Sequence, residues 1–208
     1  MSTSALIASA SALRRALART AHTPYAWARS LVAAWAIAWG AYAGTADAQV
    51  PLSEAQVKTA LILNFARYID WPESTFTTNT DTIVMCMVGR DTLAGTLHAL
   101  ETKQVRNRAI KVRMGVSSDD TRGCHVAFVS ESEERRLVPL LKSLSDKPIL
   151  TISDISGFIE AGGGIGIVQG ETRLQFDVNI RALEVAKLKA SSNVLKLARN
   201  LAEAPGKN

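Results

Sequence analysis

The 208 residues carry 24 Lys+Arg against 19 Asp+Glu, a net charge of +5, and only two cysteines. That length allows one ordinary domain plus a leader and leaves little room for a second domain. The excess charge does not argue for nucleic acid: without the first 48 residues the balance drops to 20 basic and 18 acidic residues, about +2.

Residues 1–48 read as an export leader. Arg14, Arg15, Arg19 and Arg29 precede an uncharged run, LVAAWAIAWGAYA, from Leu31 to Ala43. Such a run is short for a membrane span and suits a secretory h-region. Ala46-Asp47-Ala48 is a small-x-small cleavage signal, which would leave Gln49 first. The n-region is long, as an upstream misassigned start or an uncleaved anchor would make it. The Arg14-Arg15 pair lies too far from the apolar run for twin-arginine export, so the general secretory route is expected. No later segment is apolar for long enough to span. The expected location is the periplasm.

Ser53-Glu54-Ala55-Gln56 fits a capping box. Val57, Leu61, Phe65 and Ile69 then recur every fourth residue, with Ala60, Asn64 and Tyr68 filling the same stripe. Pro72 should stop this helix near Asp70. Ile62 and Leu63 fall outside the stripe, so the helix is apolar around much of its girth and suited to cover on more than one side.

TIVMCMVG (82–89), CHVAFVS (124–130) and ILTIS (149–153) read as buried strands. Asp91 is placed to cap a helix running to about Glu101. Residues 109–116 alternate Ile110, Val112, Met114 and Val116 with polar or small partners, a half-exposed strand. A helix is expected over 133–144, with Pro139 making its start uncertain in register. Glycines 162, 163, 164 and 166 lack the spacing, the following helix and the Lys-Ser/Thr of a phosphate loop. Two strands follow, near 164–169 and 173–180, joined by the hairpin signal Gly170-Glu171-Thr172. Asn179 is placed to cap a short helix to Lys187. Ser191 or Ser192 would cap a last helix with a stripe of Val194, Leu195, Leu197, Ala198 and Leu201. Strands alternating with helices before a terminal hairpin predict a single α/β domain over 49–208. Its sheet would be mixed and mostly parallel, flanked by helices, with a C-terminal antiparallel hairpin.

An even cysteine count in an exported chain suggests one disulfide, Cys86 to Cys124. The rival is a metal site of Cys86, Cys124 and His125. Adjacent residues of a strand point to opposite faces, which disfavours shared chelation by Cys124 and His125. A disulfide would close a 38-residue loop and add about 4 kcal/mol, and it would place the two strands side by side. Signatures of catalysis are missing: no G-x-S-x-G, H-E-x-x-H or C-x-x-C occurs. Asp119 and Asp120 read as a solvated turn and Asp154 as a turn cap. No cofactor, no metal and no enzyme activity are expected.

VKTALILNFARYIDWP (57–72) resembles the opening signature of the YfiR family of bacterial periplasmic regulators. MCMVGRDTLAGTL (85–97), CHVAFVSESE (124–133) and the segment 149–198 resemble it in the same order. The resemblance implies an exported α/β regulator that works by binding. It further implies repression of a membrane-bound diguanylate cyclase through its periplasmic sensor domain, which lowers cyclic di-GMP and biofilm formation. An outer-membrane, peptidoglycan-binding lipoprotein that draws the repressor away is an implied second partner. A homodimer is a further expectation, apart from the resemblance. The family's first- and third-block cysteines match Cys86 and Cys124. Some relatives carry a second cysteine pair that this chain lacks. Relatives often have Ala-Gly-Leu where this chain has Ala186-Lys187-Leu188, so the C-terminal segment is expected to turn differently.

For Tyr68, Trp71 and Pro72 two readings compete. In one, Asn64 satisfies buried backbone while Tyr68 and Trp71 plug the core. In the other, Tyr68, Trp71 and Pro72 form a partner-binding rim, as aromatics do at interfaces. Phe158 is a further partner-binding candidate, or with the glycine loop a wall of a small-molecule pocket at the strand ends. Reduction of the disulfide is a candidate switch that would loosen the regulator and release its sensor.

Overall fold

The computed structural model describes residues 52–76 and 82–202; the expected leader, 1–48, lies outside the described residues. Helix α1 spans Glu54–Tyr68. The capping box is present in both directions: Ser53 Oγ accepts the Gln56 N–H at 3.3 Å, and Gln56 Oε1 accepts the Ser53 N–H at 2.8 Å. The helix ends at Tyr68, two residues before the expected stop. Ile69 is already extended and begins a two-residue strand, β1, Ile69–Asp70.

The phase of α1 differs from the expected stripe. Thr59, Ile62, Leu63, Phe65 and Ala66 are buried, whereas Ala60, Asn64 and Tyr68 are exposed. A helix apolar on most sides has little moment to orient it, so its packing partners choose the buried side. Asn64 therefore satisfies no buried backbone, and Tyr68 plugs no core.

Strands β2 (Ile83–Val88) and β5 (Val126–Val129) form where the continuous apolar runs place them. Between them lie α2 (Ala94–Leu97) with a 3-10 extension to Thr102, β3 (Gln104–Val105) and β4 (Arg108–Val116). Asp91 Oδ1 accepts the Leu93 N–H at 2.8 Å at the start of that helical stretch. β3 and β4 form a tight hairpin that the sequence reading missed. Its turn puts Arg106 and Asn107 at φ 51° and 65°, and Arg-Asn is a weak signal beside Asn-Gly. Helix α3 covers Leu137–Leu144, preceded by a 3-10 segment from Glu131. Pro139 sits in the first turn of α3, where its missing N–H costs no hydrogen bond.

β6 (Leu150–Ser153), β7 (Ile165–Gln169), β8 (Leu174–Asn179), α4 (Ile180–Val185), β9 (Lys189–Ala190), α5 (Ser192–Leu197) and β10 (Asn200–Ala202) complete the described chain. The main sheet has eight strands in the order β10-β8-β7-β6-β5-β2-β4-β3. β8 runs antiparallel to β7, and β3 antiparallel to β4; the other neighbours are parallel. The expected single α/β domain with a mixed, mostly parallel sheet and C-terminal antiparallel hairpin is the observed architecture. β1 pairs with β9 as a separate two-stranded ribbon. The expected last helix is cut short: it ends at Leu197, and Leu201 lies in edge strand β10. Ser191 takes the N-cap position without bonding the helix through its side chain.

Alternate residues of β5 feed two cores. Val126 and Phe128 pack with α1, the α2 segment and the region after β8. Ala127 and Val129 pack with α3 and with Phe158. The sheet is thus covered on both faces, which is why its central strands read as unbroken apolar runs.

Cys86 and Cys124 are joined, with Cα atoms 5.8 Å apart, and β2 and β5 are direct neighbours. The metal reading of these cysteines fails, because each sulfur is spent on the other. His125 is occupied too: Nδ1 accepts the Val84 N–H at 3.0 Å, and the ring stacks on Phe76 with centroids 4.8 Å apart.

The segment after α4 does not turn differently from a glycine-ended helix. Lys187 adopts φ 58°, and Leu188 N–H reaches Leu183 O at 2.8 Å while Lys187 N–H reaches Glu184 O at 2.9 Å. That is a Schellman end built on a lysine. A side chain in this left-handed conformation is strained, so Lys187→Gly should raise the unfolding free energy by about 1 kcal/mol. Urea melts of the two proteins measure it; a less stable glycine variant would contradict the strain argument.

Candidate functional site

α1 and α5 lie side by side with an open groove of about 540 Å³ between them. Leu61, Asn64, Phe65 and Tyr68 form the α1 wall. Asn193, Val194, Lys196 and Leu197 form the α5 wall, and Phe176 of β8 lies between. Phe65 meets Phe176 edge to face, with centroids 4.8 Å apart and planes at 65°. That contact anchors the groove to the core, since both rings are buried. Its lips are open: Tyr68 is 43% exposed and Leu197 75%. The lips thus present two large exposed side chains at one groove, where a single exposed leucine would need no explanation.

Local chemistry holds the groove's width. Tyr68 O accepts the Ser191 N–H at 2.9 Å, extending the β1–β9 ribbon that ties the end of α1 to the start of α5. The clamp therefore fixes the backbone of Tyr68 itself at the groove's end. Among the described residues, the one ionic group in the groove wall is Lys196.

The four residues singled out from sequence do not share one surface. Tyr68 is at the groove. Trp71 and Pro72 are half-buried, and Trp71 packs on the main core and against Phe76 with ring centroids 6.3 Å apart. Phe76 in turn sits under the Arg108 guanidinium at 4.1 Å and against His125. The structure does not bring Phe158 to that rim: its ring is 1% exposed, within the second core. Of the expected stripe, Phe65 and Ile69 are buried in the core and Leu61 is half-buried against it, while Asn64 and Tyr68 stand exposed at the groove. Leu197 belongs to the apolar stripe expected for the last helix. The signal that could have found the groove is the surplus of apolar faces on α1.

A second cleft, about 440 Å³, lies beside the loop after β6. Of its charged side chains, all but Glu160 are paired with one another. Lys58 Nζ lies 2.6 Å from both Asp154 Oδ2 and Glu54 Oε1. Burial by itself would lower the Lys58 pKa, but the Asp154 and Glu54 hydrogen bonds outweigh it and raise it. Asp154 thus tethers α1, while the turn it was expected to cap is capped by Ser153, whose Oγ accepts the Ile155 N–H at 3.1 Å. Arg199 and Asp177 form a two-pronged pair at 2.9 and 2.5 Å, and that hydrogen bond raises the arginine's pKa further. Elsewhere, the Val112 N–H donated to Glu101 Oε1 at 3.0 Å lowers the Glu101 pKa.

The described chain is an α/β body with an open apolar groove beside a clamped helix end. The chain belongs to the YfiR/HmsC-like family, whose model matches residues 55–199. Members of that family are periplasmic regulators of cyclic di-GMP signalling rather than enzymes. The fold also resembles the crystal structure of a conserved domain protein from Vibrio cholerae, with a TM-score of 0.50 and 10% identity. The match covers 72% of this chain and spans 60% of that protein's length. At that identity the likeness speaks for the fold alone. No described helix is long and apolar enough to cross a membrane.

Proposed function

We propose that this chain is an exported, non-enzymatic repressor that binds the periplasmic sensor domain of an inner-membrane diguanylate cyclase. One observation carries the reading: a member of a family of periplasmic regulators presents a preformed apolar groove with Tyr68 and Leu197 at its lips. Residues 1–48 supply the export signal, and the folded body acts outside the cytoplasm. Binding one conformation of the sensor better than the other shifts the sensor's population. A shift from mostly active to mostly inactive takes about 5 kcal/mol of difference in affinity. An outer-membrane, peptidoglycan-binding lipoprotein would compete for the repressor and relieve it, and a second copy of this chain is the remaining candidate for the same surface.

Deleting the gene should raise cyclic di-GMP, and restoring the native chain should lower it again. Tyr68→Ala/Leu197→Ala should fold normally, because both side chains are exposed, yet bind the sensor about 30-fold more weakly. Capture of detergent-solubilised cyclase on immobilised repressor reads this directly. Trp71→Ala is a poorer probe, because the half-buried ring supports the fold. Unchanged cyclic di-GMP on deletion would sink the repressor role; undiminished capture by the double variant would move the interface elsewhere.

A further inference from the structure

A separate cleft of about 210 Å³ opens between α3 and α4, at the seam between the two cores. Leu141, Leu144 and Ile149 wall it from one core, Leu183 and Ala186 from the other, and Val185 stands 49% exposed among its lining residues. Gly164 contributes to keeping it open. A Cβ there would lie 3.0 Å from Thr151 O and 3.2 Å from a Leu183 methyl.

The polar groups of the wall are already engaged. Thr151 Oγ1 accepts the Gly164 N–H at 2.9 Å. Asn179 Oδ1 accepts the Ala182 N–H, and its Nδ2 donates to Ile159 O. Ser145 Oγ donates to Lys142 O. Arg181 is different. Among the described residues it is the one charged side chain lining the cleft, no Asp or Glu lines it, and Arg181 makes no ion pair.

We propose that this cleft binds a small amphiphilic carboxylate, its apolar body between Leu141, Leu144, Ile149 and Leu183 and its carboxylate on the Arg181 guanidinium. Apolar walls reward burial of a hydrocarbon body. The free guanidinium fork is the one handle that fixes orientation, and it matches a carboxylate in two-pronged geometry. A cationic ligand meets repulsion there, and a neutral one gains only the walls. The site is separate from the α1–α5 groove and does not depend on the repressor reading.

The test is an NMR titration of methyl-labelled full-length protein with octanoate, and in parallel with octanol. Octanoate should shift the methyls of Leu141, Leu144, Ile149, Leu183 and Val185 saturably. Octanol, or octanoate on Arg181→Gln, should bind about fivefold more weakly, the size of an exposed ion pair. Ala182→Leu should block the cleft and abolish the shifts while the remaining spectrum stays native. Equal binding of octanol and octanoate, shifts confined to Leu61, Val194 and Leu197, or no saturable shift would each overturn the proposal.

Discussion

Cys86→Ala/Cys124→Ala should unfold with a free energy about 4 kcal/mol below that of the native chain. The bond closes 38 residues of sequence, including the whole of the α2 segment, β3 and β4. Without it, the unfolded chain regains the freedom of that loop. The native state loses little packing, since alanine fits where a sulfur stood between β2 and the turn just before β5, although both positions are buried. Urea melts under oxidising conditions measure the difference. Native protein with a reductant should converge on the variant's midpoint. A loss under about 1 kcal/mol would mean that the unfolded chain stays compact without the bond. The same variant bears on signalling: if reduction releases the sensor, cells holding equal amounts of it should contain more cyclic di-GMP than cells with the native chain. Equal repression at equal protein level would count against a redox switch.

Gly163→Ala should cost about 3 kcal/mol or more, at the upper end of overpacking penalties. A Cβ at 163 would stand 2.2, 2.3 and 2.6 Å from three ring atoms of Phe158. Gly163 does not need a left-handed backbone, so the penalty is steric rather than conformational. Phe158 cannot retreat easily, because its ring is packed in the second core. The pairing gives a sharp test. Phe158→Leu frees space, so the double variant should be more stable than the sum of the single losses predicts. Strict additivity would show that the glycine is required for another reason. This packing explains a glycine-rich loop that carries no phosphate-binding pattern: the missing side chain makes room for a ring.

Much of the fold is legible along the chain. The Ser53–Gln56 capping box, the Asn179 cap and the alternation of β4 and β8 are properties of neighbouring residues, and local hydrogen bonds and side-chain period set them before any distant contact forms. The three central strands are equally local in origin, because a strand buried on both faces must be apolar throughout. Two cysteines in a chain expected outside the cytoplasm left few partners to consider.

The groove is a different matter. Which side of α1 faces the sheet was open, because Leu61, Tyr68, Ile62 and Leu63 compete on equal hydrophobic terms. Contacts distant in sequence resolved it. Lys58 meets Asp154 across 96 positions, and the ribbon of Ile69–Asp70 with Lys189–Ala190 clamps the helix end. Short pairings such as these, and the edge strand at Asn200–Ala202, carry almost no local signal, since two or three residues define no period. The helix position of each residue belonged to the chain's own pattern. Its exposure, and with it the surface left for a partner, was settled only when remote segments competed for the same apolar faces.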